Sequence, residues 1–87
     1  MEITVRLFAQ LREQFGAAAV SLSLPEAADV EALTQALLAH FSDLPEDVRQ
    51  QLLADNVRIA VNQQLIEGHI QLAAGDEVAF LPPVTGG

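Results

Sequence analysis

An α+β domain, with a mixed sheet and one main helix packed on one face, is what these 87 residues predict. Three observations carry the prediction. Two runs with alternating apolar residues come first, a run with helical spacing follows, and short alternating runs close the chain. The segment between the second and third runs is long enough for a crossover, so parallel as well as antiparallel pairing is open to the sheet.

Taken in order, residues 2–8 alternate, with Ile3, Val5 and Leu7 on one side and Glu2, Thr4, Arg6 and Phe8 on the other. Phe8 is the anomaly, an aromatic ring on the polar side. Residues 9–15 read as a short helix. Leu11 and Phe15 lie one turn apart, and Gly16 suits the left-handed position after a helix. Val20, Leu22 and Leu24 mark a second strand that Pro25 ends. Asp29 suits an N-cap with Glu31 in the first turn. Val30, Leu33, Leu37 and Phe41 give the stripe of the main helix, which runs to about His40. Pro45 restarts a helical turn whose inward residues are Val48 and Leu52. Val57, Ile59 and Val61 form a third strand. Asn62 and Gln63 turn it into a short fourth, Gln64-Leu65-Ile66, which Glu67-Gly68 breaks. In the connector 69–74, Ile70 and Leu72 are expected to be buried. Gly75-Asp76 then turns into a last strand, 77–81, with Val78 and Phe80 on one face and Glu77, Ala79 and Leu81 on the other. The domain is thus residues 1–81, and 82–87 form an extended tail.

Composition limits the chemistry. A chain of this size buries a little over ~60% of its unfolded surface, and 51% hydrophobic residues supply a core. Cysteine is absent, which excludes thiolate metal sites and thiol nucleophiles. Net charge is −8, with four arginines and no lysine. That acidity opposes binding to nucleic acid or anionic membrane and suits a partner with a basic face. The opening residues lack the basic and apolar regions of a secretory signal, and no run approaches a membrane span. A cytoplasmic location is therefore expected.

Side chains offer little for catalysis. His40 and His69 stand in no metal or triad spacing, and no metal site is expected. Ser21, Ser23 and Ser42 lack a glycine elbow, and no glycine-rich phosphate loop precedes a helix. The tail is the better candidate. Pro82 and Pro83 hold it extended, Val84 and Thr85 continue it, and Gly86 and Gly87 leave it thin. Its carboxylate, with a pKa of about 3.3–3.7, is anionic at neutral pH and a poor electrophile. Activation as an acyl-adenylate would let a sulfur nucleophile displace AMP. If the first and last strands lie side by side, Phe8 and Leu81 meet on the sheet's outer face. Leu65 can join them from a nearby edge, forming an apolar docking patch beside the tail.

The runs Phe8-Ala9-Gln10-Leu11-Arg12-Glu13, Val61-Asn62-Gln63, Gly75 to Pro83 and Val84-Thr85-Gly86-Gly87 together resemble the family of molybdopterin synthase small subunits. The resemblance runs nearly the whole chain in matching order. It implies a ubiquitin-like β-grasp fold and a non-catalytic sulfur carrier. Gly87 would be adenylated by a ubiquitin-activating-like adenylyltransferase using ATP-Mg, with no cofactor bound stably, and then converted to a thiocarboxylate. Pro82 to Gly86 would carry it into the large synthase subunit, for transfer of sulfur to cyclic pyranopterin monophosphate in molybdenum cofactor biosynthesis. Apolar positions matching Phe8, Leu65 and Leu81 contact that subunit in the family. The last is often phenylalanine there, so Leu81 is a departure. A heterotetramer built on a large-subunit dimer is also implied. Three alternatives stay open: a carrier for thiamine synthesis or tRNA thiolation, a ubiquitin-like modifier of lysines, and a plain interaction domain.

Overall fold

A computed structural model describes residues 1–68 and 70–83. His69 and the tail positions Val84, Thr85, Gly86 and Gly87 lie outside the described residues. The elements are β1 (Glu2–Leu7), α1 (Ala9–Phe15), β2 (Ala19–Ser23), α2 (Val30–His40), α3 (Glu46–Leu52), β3 (Arg58–Val61), β4 (Gln64–Ile66) and β5 (Glu77–Leu81). Among the described residues the strands form one sheet in the order β2-β1-β5-β3-β4.

Two antiparallel pairs, β1 with β2 and β3 with β4, make the halves of this sheet. The chain crosses from one half to the other through α2 and α3. The last strand, β5, then enters between them, parallel to β1 and antiparallel to β3. The mixed sheet expected from the order of elements is therefore present, and its architecture is the β-grasp. Alternation decides which face is covered. Ile3, Val5 and Leu7 of β1 and Val78 and Phe80 of β5 are buried against Leu33, Leu37 and Leu38 of α2 and Leu11 of α1. Phe15 and Phe41 meet edge to face at 5.2 Å, which ties the ends of α1 and α2 together.

Local signals act as the residue types predict. Gly16 is left-handed at φ 73°, and its N–H donates to the Arg12 carbonyl. Asp29 caps α2, its Oδ1 accepting from the Ala32 N–H at 2.9 Å. The one buried polar side chain of the described core, Thr34, donates to the Val30 carbonyl one turn back at 2.9 Å. Asn62 and Gln63 both have positive φ, at 51° and 71°, between the paired residues Val61 and Gln64. That is the type I′ geometry whose twist suits a two-residue hairpin.

One expectation is corrected. Leu72 is buried, but Ile70 is 39% exposed. The segment is pinned to the start of α2, where the Val30 N–H donates to Ile70 C=O and the Leu72 N–H to Ala28 C=O. Ile70 lies outside every described strand, and its backbone carbonyl rather than its side chain ties it to the N-terminus of α2. Ala60 departs in the opposite direction. It lies between the inward-reading Ile59 and Val61, yet it too is buried, because Leu65 and Ala79 flank it across the strands.

Asp29→Ala should destabilise the domain by about 1 kcal/mol, because it leaves an N-terminal donor of α2 without its cap. Urea denaturation followed by circular dichroism measures this, with the slope unchanged and the midpoint lowered.

Candidate functional site

Among the described residues no helix lines the groove on the sheet's outer face, so the strand and loop side chains decide what that face offers. One row of partners crosses it: Leu65 on β4, Ala60 on β3, Ala79 on β5 and Arg6 on β1. The two alanines in the middle are small, and the sheet is hollow there. The result is an open groove of about 490 Å³, lined by Arg6, Phe8, Ala60, Gln63, Leu65, Glu77, Ala79 and Leu81.

All three residues expected to form an apolar patch thus line one groove. Phe8 is 36% exposed and Leu65 56% exposed, while Leu81 is half-buried. Leu7 pairs with Phe80, so the next positions along the two parallel strands bring Phe8 toward Leu81. Phe8 itself lies just past β1 as the extended N-cap residue of α1. The polar wall is an ion pair, Arg6 to Glu77 at 3.5 Å, with the Arg6 guanidinium 6.0 Å from the centroid of the Phe8 ring. With half of the Arg6 side chain in solvent, the pair orients these groups more than it stabilises the fold.

A hydrogen-bonded clasp holds the hairpin end of the groove. Asn62 Nδ2 donates to Asp76 Oδ1 at 3.0 Å, while Asn62 Oδ1 accepts from the Glu77 N–H at 3.0 Å. Asp76 Oδ2 accepts from the Ala73 N–H at 2.8 Å. These donors, the Ala73 N–H first and the Asn62 amide second, hold the Asp76 carboxyl below its ordinary pKa, and burial opposes them. The clasp fixes the β3–β4 turn, and with it Gln63 and Leu65, against the start of β5.

Where the chain leaves the sheet, Pro82 and Pro83 are half-buried. They line a smaller crevice of about 200 Å³ with Gln10, Leu11, Gln51, Ala54, Asn56 and Val57. The other expected tail residues, Val84, Thr85, Gly86 and Gly87, fall outside the described residues. So does His69. His40 is exposed and meets the Phe41 ring edge to face at 4.9 Å. Among the described residues no cluster of three or more His, Cys, Asp or Glu side chains could hold a metal, and no helix is long and apolar enough to cross a membrane.

The sequence reading did not pick out the groove's alanine floor or the amides around the tail root. Alternation along β5 already placed Ala79 beside Leu81, which was a usable signal for the floor. Gln10, Gln51 and Asn56 gave none, because they meet only through the tertiary fold.

The fold and groove define a ubiquitin-like β-grasp domain with an exposed sheet face and a tail continuous with its central strand. The ThiS family model matches residues 5–87, and the chain belongs to that family. It is 42% identical over 87 residues to the molybdopterin synthase sulfur carrier subunit of Escherichia coli, covering 98% of this chain and 99% of that protein. It is 34% identical over 85 residues to the subunit of the same name from Haemophilus influenzae, covering 98% and 99%. Among solved structures, SAMP1 from Haloferax volcanii superposes with a TM-score of 0.84 at 30% identity, over all of both chains. A chain of the complex of subunits 1 and 2 of molybdopterin-converting factor from Helicobacter pylori does so with 0.67 at 28% identity, again over all of both chains.

Replacing Asp76 with Asn should lower stability at neutral pH by about 1 kcal/mol, since a charged acceptor of two hydrogen bonds is lost. Because the folded pKa lies below the unfolded one, this stabilisation is complete above about 3.9 and is lost as pH falls through the lower folded value. Urea midpoints of the two proteins should therefore differ at neutral pH and converge in strong acid.

Proposed function

We propose that this chain is the sulfur-carrying small subunit of a molybdopterin synthase. The observation that carries the reading is the groove formed by Phe8, Leu65 and Leu81, which opens on the sheet face beside the root of a Gly-Gly tail. The names of its relatives in Escherichia coli and Haemophilus influenzae support it. So does the two-subunit complex from Helicobacter pylori.

In this reading the domain is a handle and the chemistry belongs to Gly87. A ubiquitin-activating-like adenylyltransferase joins the Gly87 carboxylate to AMP from MgATP, with pyrophosphate leaving. A sulfur nucleophile then displaces AMP, and the tail ends in a thiocarboxylate. The large subunit docks on the groove and takes the tail into its own site, where sulfur passes to cyclic pyranopterin monophosphate. Glycine at the last two positions suits a channel too narrow for a side chain. The proline pair reduces the entropy lost when the tail is threaded. Catalytic side chains come from the large subunit, and the assembly is a heterotetramer on a large-subunit dimer. The compartment is the cytoplasm.

A second reading draws on the structural likeness to small archaeal modifier proteins such as SAMP1. There the same activated carboxyl would pass to a lysine of a target protein.

Two experiments decide. Phe8→Asp together with Leu81→Asp should weaken binding of the large subunit at least about a hundredfold while the circular dichroism spectrum stays unchanged, because two anchors of an apolar groove become charged. Calorimetry with the purified large subunit reads this, and unchanged affinity refutes the docking site. Removal of Gly87 should abolish sulfur transfer with the domain still folded, since the tip then falls roughly 3.3 Å short. Intact mass after incubation with adenylyltransferase, MgATP and a sulfur donor should show one oxygen replaced by sulfur in the full chain only. Attachment to lysines of other proteins in a lysate would instead establish the modifier.

A further inference from the structure

The chain has four arginines and no lysine. An acyl-adenylate is an electrophile toward any free amine. A lysine ε-amine, with a pKa of about 10.4, is deprotonated in a small fraction at neutral pH, and that fraction attacks. A guanidinium, with a pKa of about 12.5–13.8, stays protonated and does not. Arginine therefore supplies positive charge without a nucleophile.

The location of these charges matters. Arg58 is exposed and sits directly across from Leu81, one residue before Pro82, at the place where the tail leaves the sheet. Position 58 is one strand spacing, about 4.8 Å, from the root of the tail, and six tail residues span at most roughly 20 Å. The crevice at the root is lined by Gln10, Leu11, Gln51, Ala54, Asn56 and Val57 with the two prolines, which are amides and hydrocarbons without an amine, hydroxyl, thiol or imidazole. At the N-terminus, the Met1 ammonium donates to the Leu24 carbonyl, and the Leu24 N–H donates back to Met1 C=O.

We infer that the arginine-only cation set, with Arg58 as its critical member, is a specificity device that reserves the activated C-terminus for its sulfur donor. This rests on adenylation of Gly87 as proposed above. The reaction it suppresses is internal aminolysis. An amine nitrogen would bond to the Gly87 carbonyl carbon, the C–O bond to AMP would break, AMP would leave, and the ammonium proton would pass to solvent. The product is a lactam that can carry no sulfur. Tethering makes that reaction intramolecular, so even a sparsely deprotonated amine competes.

The test compares the full-length wild type, Arg58→Lys and Arg58→Gln, each incubated with the adenylyltransferase, MgATP and a sulfur donor and then weighed intact. Wild type and R58Q should be converted to thiocarboxylate. R58K should give at least about tenfold more of a species lighter than the unmodified chain by one water, rising with pH as the amine deprotonates. Peptide mapping should join position 58 to the tail. Full sulfuration of R58K with no cross-link would overturn the inference and leave the carrier reading intact. Equal loss of sulfuration in R58K and R58Q would also overturn it, by tracing the effect to the missing guanidinium. Absence of adenylation in all three proteins would overturn both readings.

Discussion

The insertion of β5 between β1 and β3 is the constraint on which the rest of this structure depends. Before that strand is in place, the chain is two antiparallel hairpins joined by helices, and neither can bury its apolar face alone. With it in place, Val78 and Phe80 complete the core, and Ala79 and Leu81 complete the groove on the opposite face. The same five residues lead directly into Pro82 and Pro83. Core, outer-face groove and tail root therefore share one backbone, and register fixes their relative positions.

That register explains why the outer face is hollow. Side chains on a pleated strand alternate, so the positions that read as polar on β1 and β5 must share a face with whatever β3 and β4 present there. Here β3 presents Ala60, and it falls beside Ala79. A large residue at either place would fill the depression between Phe8 and Leu65. The Asn62–Asp76 clasp closes the hairpin end of this arrangement from the side, with hydrogen bonds that bypass the ladder.

Much of this was legible in the sequence because local rules and the global fold agree. The turn at Asn62-Gln63, the cap at Asp29, the left-handed Gly16 and the stripe on α2 each depend on a few neighbouring residues, and each occurs as read. The meeting of Phe8 with Leu81 needed one long-range assumption, that the first and last strands are neighbours, and alternation supplied the rest. Ile70 failed for lack of such support. Its apolar side chain alone suggested burial, but whether a connector residue reaches the core depends on where the helix start holds it. Nor could the sequence reveal the clasp or the amides of the tail root, since both arise from residues far apart in the chain.

The parallel pairing of β1 with β5 has a mechanical consequence. Ladder hydrogen bonds run across the strands, so tension applied along the C-terminal segment loads the rungs on both sides of β5 together and in shear. A peeling geometry would break them one by one. A domain held by its sheet would therefore resist unravelling when pulled from its C-terminal side.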